Sequence, residues 1–251
     1  MGAILATAGL AEGNGHRRAT FIREDGSPGR VDRRATLYQE RVIPRDAPLV
    51  TQVSRWDRLK DPVGVLRAFA EHVDGDDAHL LLAAPSVEAV TDDPEGAEVI
   101  AEVDAARRAL SADMRERVHL AGLPMEDVEE NAAIVNAIQR RSTIVVQKSI
   151  AEGFGLTVAE AMWKSRPVVA SRRGGIQDQI VDGENGILLD DPLDLAHLGS
   201  ILRGLLDDPE RAARFGAAGR RAVEDRFLGT RSLTQYLELL SELLDREQPG
   251  T

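Results

Sequence analysis

Residues Glu152-Gly-Phe-Gly-Leu-Thr-Val-Ala-Glu160 decide the reading of this chain. The segment follows an apolar run ending near Gln147 and opens a helical stretch through Met162. Two glycines at a strand-to-helix turn let the backbone approach a ligand closely. The free N–H groups of the helix start then face that ligand with a positive dipole, a geometry that suits a phosphate. Glu152 precedes the turn and Glu160 falls in the first helical turn, so both can border one pocket. A carboxylate does not bind phosphate, but it accepts hydrogen bonds from hydroxyls. The pattern suits a ligand with hydroxyls on both sides of its phosphates, such as a nucleotide sugar. A second reading stands beside it: Thr157-Val-Ala-Glu160 fits a capping box, in which Glu160 bonds back to the Thr157 N–H.

Outward from this segment, apolar runs alternate with helical stretches from residue 47 onward. The predicted strands are Leu49–Val53, His79–Ala83, Val118–Ala121, Thr143–Gln147, Val168–Ala170 and Gly186–Leu189. They lack clean alternation, as expected of strands buried on both faces. Asp61-Pro62 and Asp93-Pro94 each supply an N-cap followed by proline at the first helical position. Val128, Ala132, Val135 and Ile138 mark one helical face. After residue 191 the pattern is helical throughout: 192–206, 209–225, and 231–245 with Leu233, Leu237, Leu240 and Leu244. Such alternation implies βαβ units and a parallel sheet of about six strands. Ligands of such sheets sit at the carboxyl ends of the strands, so chemistry belongs in the loops that follow them.

Residues 1–46 are rich in glycine, carry Pro28 and Pro44, and show no sustained periodicity. They read as an extended lead-in or linker, with 47–251 as the folded domain. Met1–Ala11 is faintly like a signal peptide but has no basic start, and reads instead as a short helix or a chain cut inside a helix. Hydrophobic residues make up 43% and charged residues 29% of the 251, ordinary for a globular domain. The charge is uneven. Residues 1–50 hold eight Arg and six acids, whereas the whole chain is at −11. So acidic a chain is a poor nucleic-acid binder. With no Cys there is neither a disulfide framework nor a thiol nucleophile, which fits a cytoplasmic setting. No apolar run approaches the ~18 residues of a membrane span. No His pair has metal-ligand spacing, and no Ser-His-Asp order or G-x-S-x-G elbow marks a hydrolase.

Two further loops carry candidate chemistry. Gln52-Val-Ser-Arg-Trp-Asp-Arg-Leu-Lys-Asp61 follows the first predicted strand. Arg55 and Lys60 there could hold a diphosphate, as an Arg fork plus a Lys point charge, or could be a solvated charged loop. Arg58 reads as surface. Ser171-Arg-Arg-Gly-Gly-Ile176 repeats strand, glycine turn and helix, and Gly174 and Gly175 could bring backbone to the same ligand.

Ser54-Arg55, Lys60, the Glu152/Glu160 pair and the Gly174-Gly175 turn occur in this order at successive strand ends. Together they resemble the C-terminal half of the retaining family 4 glycosyltransferases, over about residues 47–228. Within that family, Gln147–Lys164 and Gly174–Gly183 are similar to the trehalose glycosyltransferring synthases. The usual family sequence after Gly-Gly-Ile is Pro-Glu, and Gln177-Asp178 departs from it in the direction of those synthases. Thr20–Asp32 resembles their interdomain region. The resemblance implies a Rossmann-like doubly wound domain, the C-terminal domain of a GT-B fold. It implies that Arg55 and Lys60 hold the donor diphosphate and stabilise it as it leaves, and that Glu152 contacts hydroxyls of the transferred sugar. Backbone around Gly153, Phe154, Gly155, Leu156 and Thr157 would meet phosphate and sugar, and Glu160 the ribose. The expected partner is a nucleoside-diphosphate sugar, with no cofactor and no metal. The acceptor site and a catalytic-side His belong to an N-terminal domain with no counterpart here, so the chain is expected to be a donor-binding half. A homo-oligomer is left open. The rivals are a sugar-nucleotide epimerase half and a binding or assembly module without turnover.

Overall fold

The structure is a computed structural model that describes residues 1–13, 19–73, 77–87 and 94–246. It opens with α1 (Gly2–Ala8), an antiparallel hairpin of β1 (Thr20–Ile22) and β2 (Pro28–Arg30), and a short β3 (Thr36–Tyr38). Then follow β4 (Leu49–Val53), a single 3-10 turn (Arg58–Lys60), α2 (Pro62–His72), β5 (His79–Pro85), α3 (Pro94–Arg108), α4 (Ala112–Arg117) and β6 (Val118–Leu123). The second half runs through α5 (Val128–Arg141), β7 (Ile144–Gln147), α6 (Leu156–Trp163), β8 (Val168–Ser171), α7 (Ile176–Gln179) and β9 (Ile187–Leu189). It closes with α8 (Leu195–Asp207), α9 (Pro209–Arg226) and α10 (Gly229–Arg246).

The main sheet has seven strands in the order β3-β6-β5-β4-β7-β8-β9. All neighbours pair in parallel except β3, which runs antiparallel along β6. From β6 to β9 this is the doubly wound order, so β4 and β7 flank the switch point where the chain reverses its direction of travel across the sheet. β4, β6, β7 and β8 are buried along their whole length, which explains their unbroken apolar sequence. Phe69, Leu80, Leu82, Leu198 and Leu202 join α2, β5 and α8 in one core; Leu49, Leu81, Ile134 and Ile138 line the opposite one with α1 and α5. Each such side chain contributes about 1.5–3 kcal/mol by leaving water.

The described residues among the first 46 do not form an extended lead-in. Ile4, Leu5, Ala8, Leu10, Val31, Ala35 and Ile43 are buried in the α5-side core, and β3 adds the seventh strand to an expected six. Charge fastens the segment to the start of α5. Arg23 donates to Asp127 at 2.7 Å and to Glu129 at 2.6 Å. Its guanidinium, with the backbone N–H groups of Glu130 and Glu129, draws the Asp127 carboxyl down to about 2. The buried Glu130 accepts from the Asp32 and Arg33 backbone N–H groups at 2.7 and 2.8 Å and also pairs with the Arg33 side chain. Three-residue strands and long-range ion pairs leave no periodic trace in the sequence.

Local expectations fared unevenly. Asp61 caps α2 by accepting from the Gly64 N–H, and Pro62 is its first residue. Asp93 lies outside the described residues, although α3 begins at Pro94. The buried face of α5 is Ile134, Ala137 and Ile138 rather than the stripe from Val128, which is exposed. α8 starts three residues later than expected, with Asp194 as its cap. On α10, Tyr236, Leu237, Leu239, Leu240 and Leu243 are exposed, and the side chains of Leu233 and Leu244 lie outside the described ones.

At the amino-terminal ends of β5 and β6, His79 and His119 are buried, stacked, and hydrogen-bonded ring to ring at 2.8 Å. Burial lowers both, His79 to about 4 with help from Arg41 and Arg117, and His119 to about 3 with help from His79 and Arg107. Both stay neutral in the fold but titrate near 6.5 when unfolded. Unfolding therefore takes up protons as pH falls below 6.5, and stability is lost in that window. Between pH 7 and pH 5 the loss is expected to be roughly 2–4 kcal/mol. Urea unfolding at the two pH values checks it: a His79→Gln/His119→Gln double variant is expected to flatten the dependence, and an equally steep one would refute the assignment.

Candidate functional site

At the switch point, the loops leaving β4 and β7 meet. The Ile150 N–H donates to the Leu59 carbonyl at 2.7 Å and locks one loop to the other. Asp57 caps the 3-10 turn by accepting from the Leu59 N–H at 2.7 Å, and this sets Lys60 in place. The Gln52 amide at the end of β4 holds the Lys60 carbonyl at 2.7 Å. The Lys60 ammonium then reaches across to Glu152, with Nζ to Oε2 at 2.6 Å. The two side chains are only 15% and 11% exposed.

Glu152 is held from several directions. Its Oε2 also accepts from Ser149 at 3.1 Å and from Gln147 at 3.3 Å, and its Oε1 accepts from the Gly153 N–H at 3.1 Å. Burial by itself would raise this carboxyl. The Lys60 hydrogen bond and charge outweigh it, aided by Ser149 and Gly153, and hold the group below the usual carboxylate range. Glu152 is therefore an ionised acceptor beside a fixed ammonium. Behind this pair, the fully buried Lys148 is ion-paired with Asp61, a non-glycine residue at φ +45°.

The turn into α6 is built as the glycines suggested. Gly155 takes φ +84° as the N-cap, and no side chain caps the helix. The capping box does not form, because the cap is Gly155 rather than Thr157. Glu160 lies in the second helical turn, not the first, and its Oε2 accepts from Gln139 at 3.2 Å. Among the described contacts, nothing joins Glu160 to the Lys60–Glu152 pair directly. Phe154 is 46% exposed and meets Phe227 edge-on at 6.1 Å. Leu156 and Gly153 are exposed beside it.

The Gly174-Gly175 turn packs against the 152–155 loop. Gly174 sits at φ +51°, and a Cβ there would lie 1.9 Å from the Glu152 carbonyl oxygen. The Gly175 N–H is taken by the Gly153 carbonyl at 2.6 Å. The two glycines are the backing of the 152–155 loop. Arg55 reaches the site edge but is 67% exposed and tied to Asp57 at 2.6 Å. Arg58 turns away to Glu98 and Glu102 on α3, at 2.9 and 2.7 Å, in keeping with its reading as surface. Sequence reading missed Gln52, Gln147 and Ser149. Their signal was present as polar residues at the ends of otherwise apolar strands.

A groove of about 530 Å³ lies elsewhere, between the β1–β2 hairpin and α5, and is lined by Phe21, Ile22, Val128 and Ala132; it holds none of these residues. Among the described residues, no group of three or more His, Asp or Glu side chains is arranged for a metal ion, and no helix is long and apolar enough to cross a membrane.

A doubly wound sheet with an ionised carboxylate, a lysine and an uncapped helix start at its switch point defines the class of α/β protein whose ligands bind at the carboxyl ends of the strands. Residues 34–222 match the family described as glycosyl transferases group 1, and the chain belongs to that family. It is 37% identical over 201 residues to trehalose synthase of Pyrococcus horikoshii, covering 79% of this chain and 45% of that protein. It is 34% identical to D-inositol 3-phosphate glycosyltransferase of Corynebacterium kroppenstedtii, covering 76% of this chain and 40% of that one. Among solved structures, sucrose-phosphate synthase from Thermosynechococcus elongatus matches with a TM-score of 0.64 and 28% identity, over 81% of this chain and 47% of that one. The fold is that of the GT-B glycosyltransferases. The chain spans less than half the length of these relatives.

Proposed function

We propose that this chain is the nucleotide-sugar-binding half of a retaining glycosyltransferase. It passes glucose or a related hexose from a nucleoside-diphosphate sugar to a sugar acceptor, a reading supported by its likeness to proteins named trehalose synthase. The observation that carries the reading is the Lys60–Glu152 pair in front of the uncapped start of α6. A donor's diphosphate takes the Lys60 ammonium, with Arg55 swinging in from its exposed position. The loop N–H groups from Phe154 to Thr157 face phosphate and sugar. Glu152, released from Lys60, accepts from hydroxyls of the sugar, and Glu160 accepts from the ribose. As the diphosphate leaves, its charge is met by Lys60, Arg55 and the helix dipole, so the scheme uses no metal. The acceptor site belongs to a second domain, and the 251 residues alone bind donor with negligible transfer. The setting is cytoplasmic.

The two glutamates test this. Glu160→Gln is expected to weaken the nucleoside diphosphate and the full donor alike, because both carry the ribose. Glu152→Gln is expected to weaken the full donor more than the diphosphate. Thermal shift with uridine, guanosine and adenosine diphosphates and their glucose conjugates reads both, since a ligand of the folded state raises the midpoint by mass action. Equal effects of both substitutions on the diphosphate would refute this division of roles.

A further inference from the structure

The loop that faces the proposed diphosphate is bonded from behind by a single short element, and that arrangement carries an inference resting on the functional reading above. Gln179, the last residue of α7, is fully buried among apolar neighbours that include Ile176 and Ile180. Its Nε2 donates to the Phe154 carbonyl at 2.5 Å and reaches the Gly155 carbonyl at 3.4 Å. Its Oε1 is buried with no hydrogen-bond partner. Packing does not explain a carboxamide here, because an apolar side chain would fill the space with no orphaned oxygen. From the same turn, the Gly175 N–H holds the Gly153 carbonyl at 2.6 Å.

The carbonyls of Gly153 and Phe154 thus point at the 174–179 turn, while the Gly155 carbonyl takes the Val158 N–H of α6 at 3.0 Å and only brushes the Gln179 amide. In a trans peptide the C=O and the following N–H point in opposite directions, and no cis bond occurs among the described residues. The N–H groups of Phe154 and Gly155 therefore point away from the turn, and the Leu156 N–H follows them as the first donor of the uncapped α6. Such a row of backbone N–H groups is an anion-binding concavity. We infer that Gln179 is a positioning residue that, with the Gly174-Gly175 turn, holds the Gly153 and Phe154 carbonyls back and so aims the loop N–H groups at the donor diphosphate. Gly174 belongs to the device because any side chain there would strike the Glu152 carbonyl. Gln179 touches no ligand itself; it prevents the peptide units from rotating their carbonyls, which would repel phosphate, into the site.

The test uses the 251-residue chain with Gln179→Met, which keeps length and apolar packing and removes the donor. Wild type is titrated with uridine, guanosine and adenosine diphosphates, and the tightest of them is carried forward with its parent nucleoside, read by NMR. The variant is expected to bind the diphosphate about tenfold more weakly, the effect of one or two lost hydrogen bonds to the loop, with nucleoside affinity within about twofold and no lower melting temperature. Unchanged diphosphate affinity would overturn the inference, and so would an equal loss for nucleoside and diphosphate, which marks a merely structural role. Should the methionine variant fail to fold, Gln179→Glu decides by the same ratio, because its carboxylate keeps the shape and repels the loop carbonyls. Wild type that binds none of the three diphosphates overturns the functional reading and this inference with it.

Discussion

Lys60→Ala is expected to lower nucleoside-diphosphate affinity about a hundredfold, the largest binding effect of any single change at the site. A charge-assisted hydrogen bond to phosphate contributes roughly 1.5–3 kcal/mol, and each 1.4 kcal/mol is tenfold. Lys60 exceeds one such bond because of its partner. Removing the ammonium leaves the ionised Glu152, only 11% exposed, facing the phosphates. The loss of an attraction is joined by the gain of a repulsion. Arg55→Ala is expected to cost about tenfold, because its guanidinium is well solvated and must give up Asp57 to reach a ligand. Arg58→Ala, whose partners are on α3, is the internal control and is expected to change affinity by less than about twofold. The chain is at −11 overall, so attraction is local and is screened over ~10 Å at 0.1 M salt. Calorimetry at two salt concentrations reads all of this, and three variants that bind like wild type would return the loop to a charged surface.

Lys148→Met is expected to cost about 3 kcal/mol of stability, the largest effect on folding. The ammonium is fully buried on Asp61. Breaking such a pair leaves a charge without compensation, whereas replacing both members can be nearly neutral. Asp61 also caps α2 from a left-handed backbone conformation, so its carboxylate cannot turn away to solvent without giving up the cap. Lys148→Met/Asp61→Asn is therefore expected to recover part of the loss, since Asn still caps. Urea denaturation measures both; a loss below about 1 kcal/mol for the single variant would mean that the pair is not buried in solution.

The parallel strands, the switch-point loops and the glycine turn were legible because each rests on local chemistry: an apolar run, a cap followed by proline, a glycine where φ must be positive. Lys60 and Glu152 were legible as residue types at strand ends, but not as partners, since 92 positions separate them. The backbone neighbour of Gly174 and Gly175 was not legible for a related reason. A glycine pair announces a close backbone approach without saying to what, and here the neighbour is the 152–154 backbone. Gln179 and Gln139 gave no signal, because a lone amide inside a helical pattern is ordinary. Burial alone distinguishes them. Apart from the short helix at the start, the packing of residues 19–46 was missed because long-range pairing holds them: β3 finds β6 across the sheet, and Arg23 and Arg33 find carboxylates at the start of α5.

The central claim is that one diphosphate site lies between β4 and β7. A crystal structure of this chain soaked with the nucleoside-diphosphate glucose that gives the largest thermal shift tests it most directly. Diphosphate density is expected at the switch point, with Lys60 Nζ and the Gly155 and Leu156 N–H groups within about 3.2 Å of phosphate oxygens and the Lys60–Glu152 contact opened. Diphosphate bound elsewhere, with that contact intact, would contradict it.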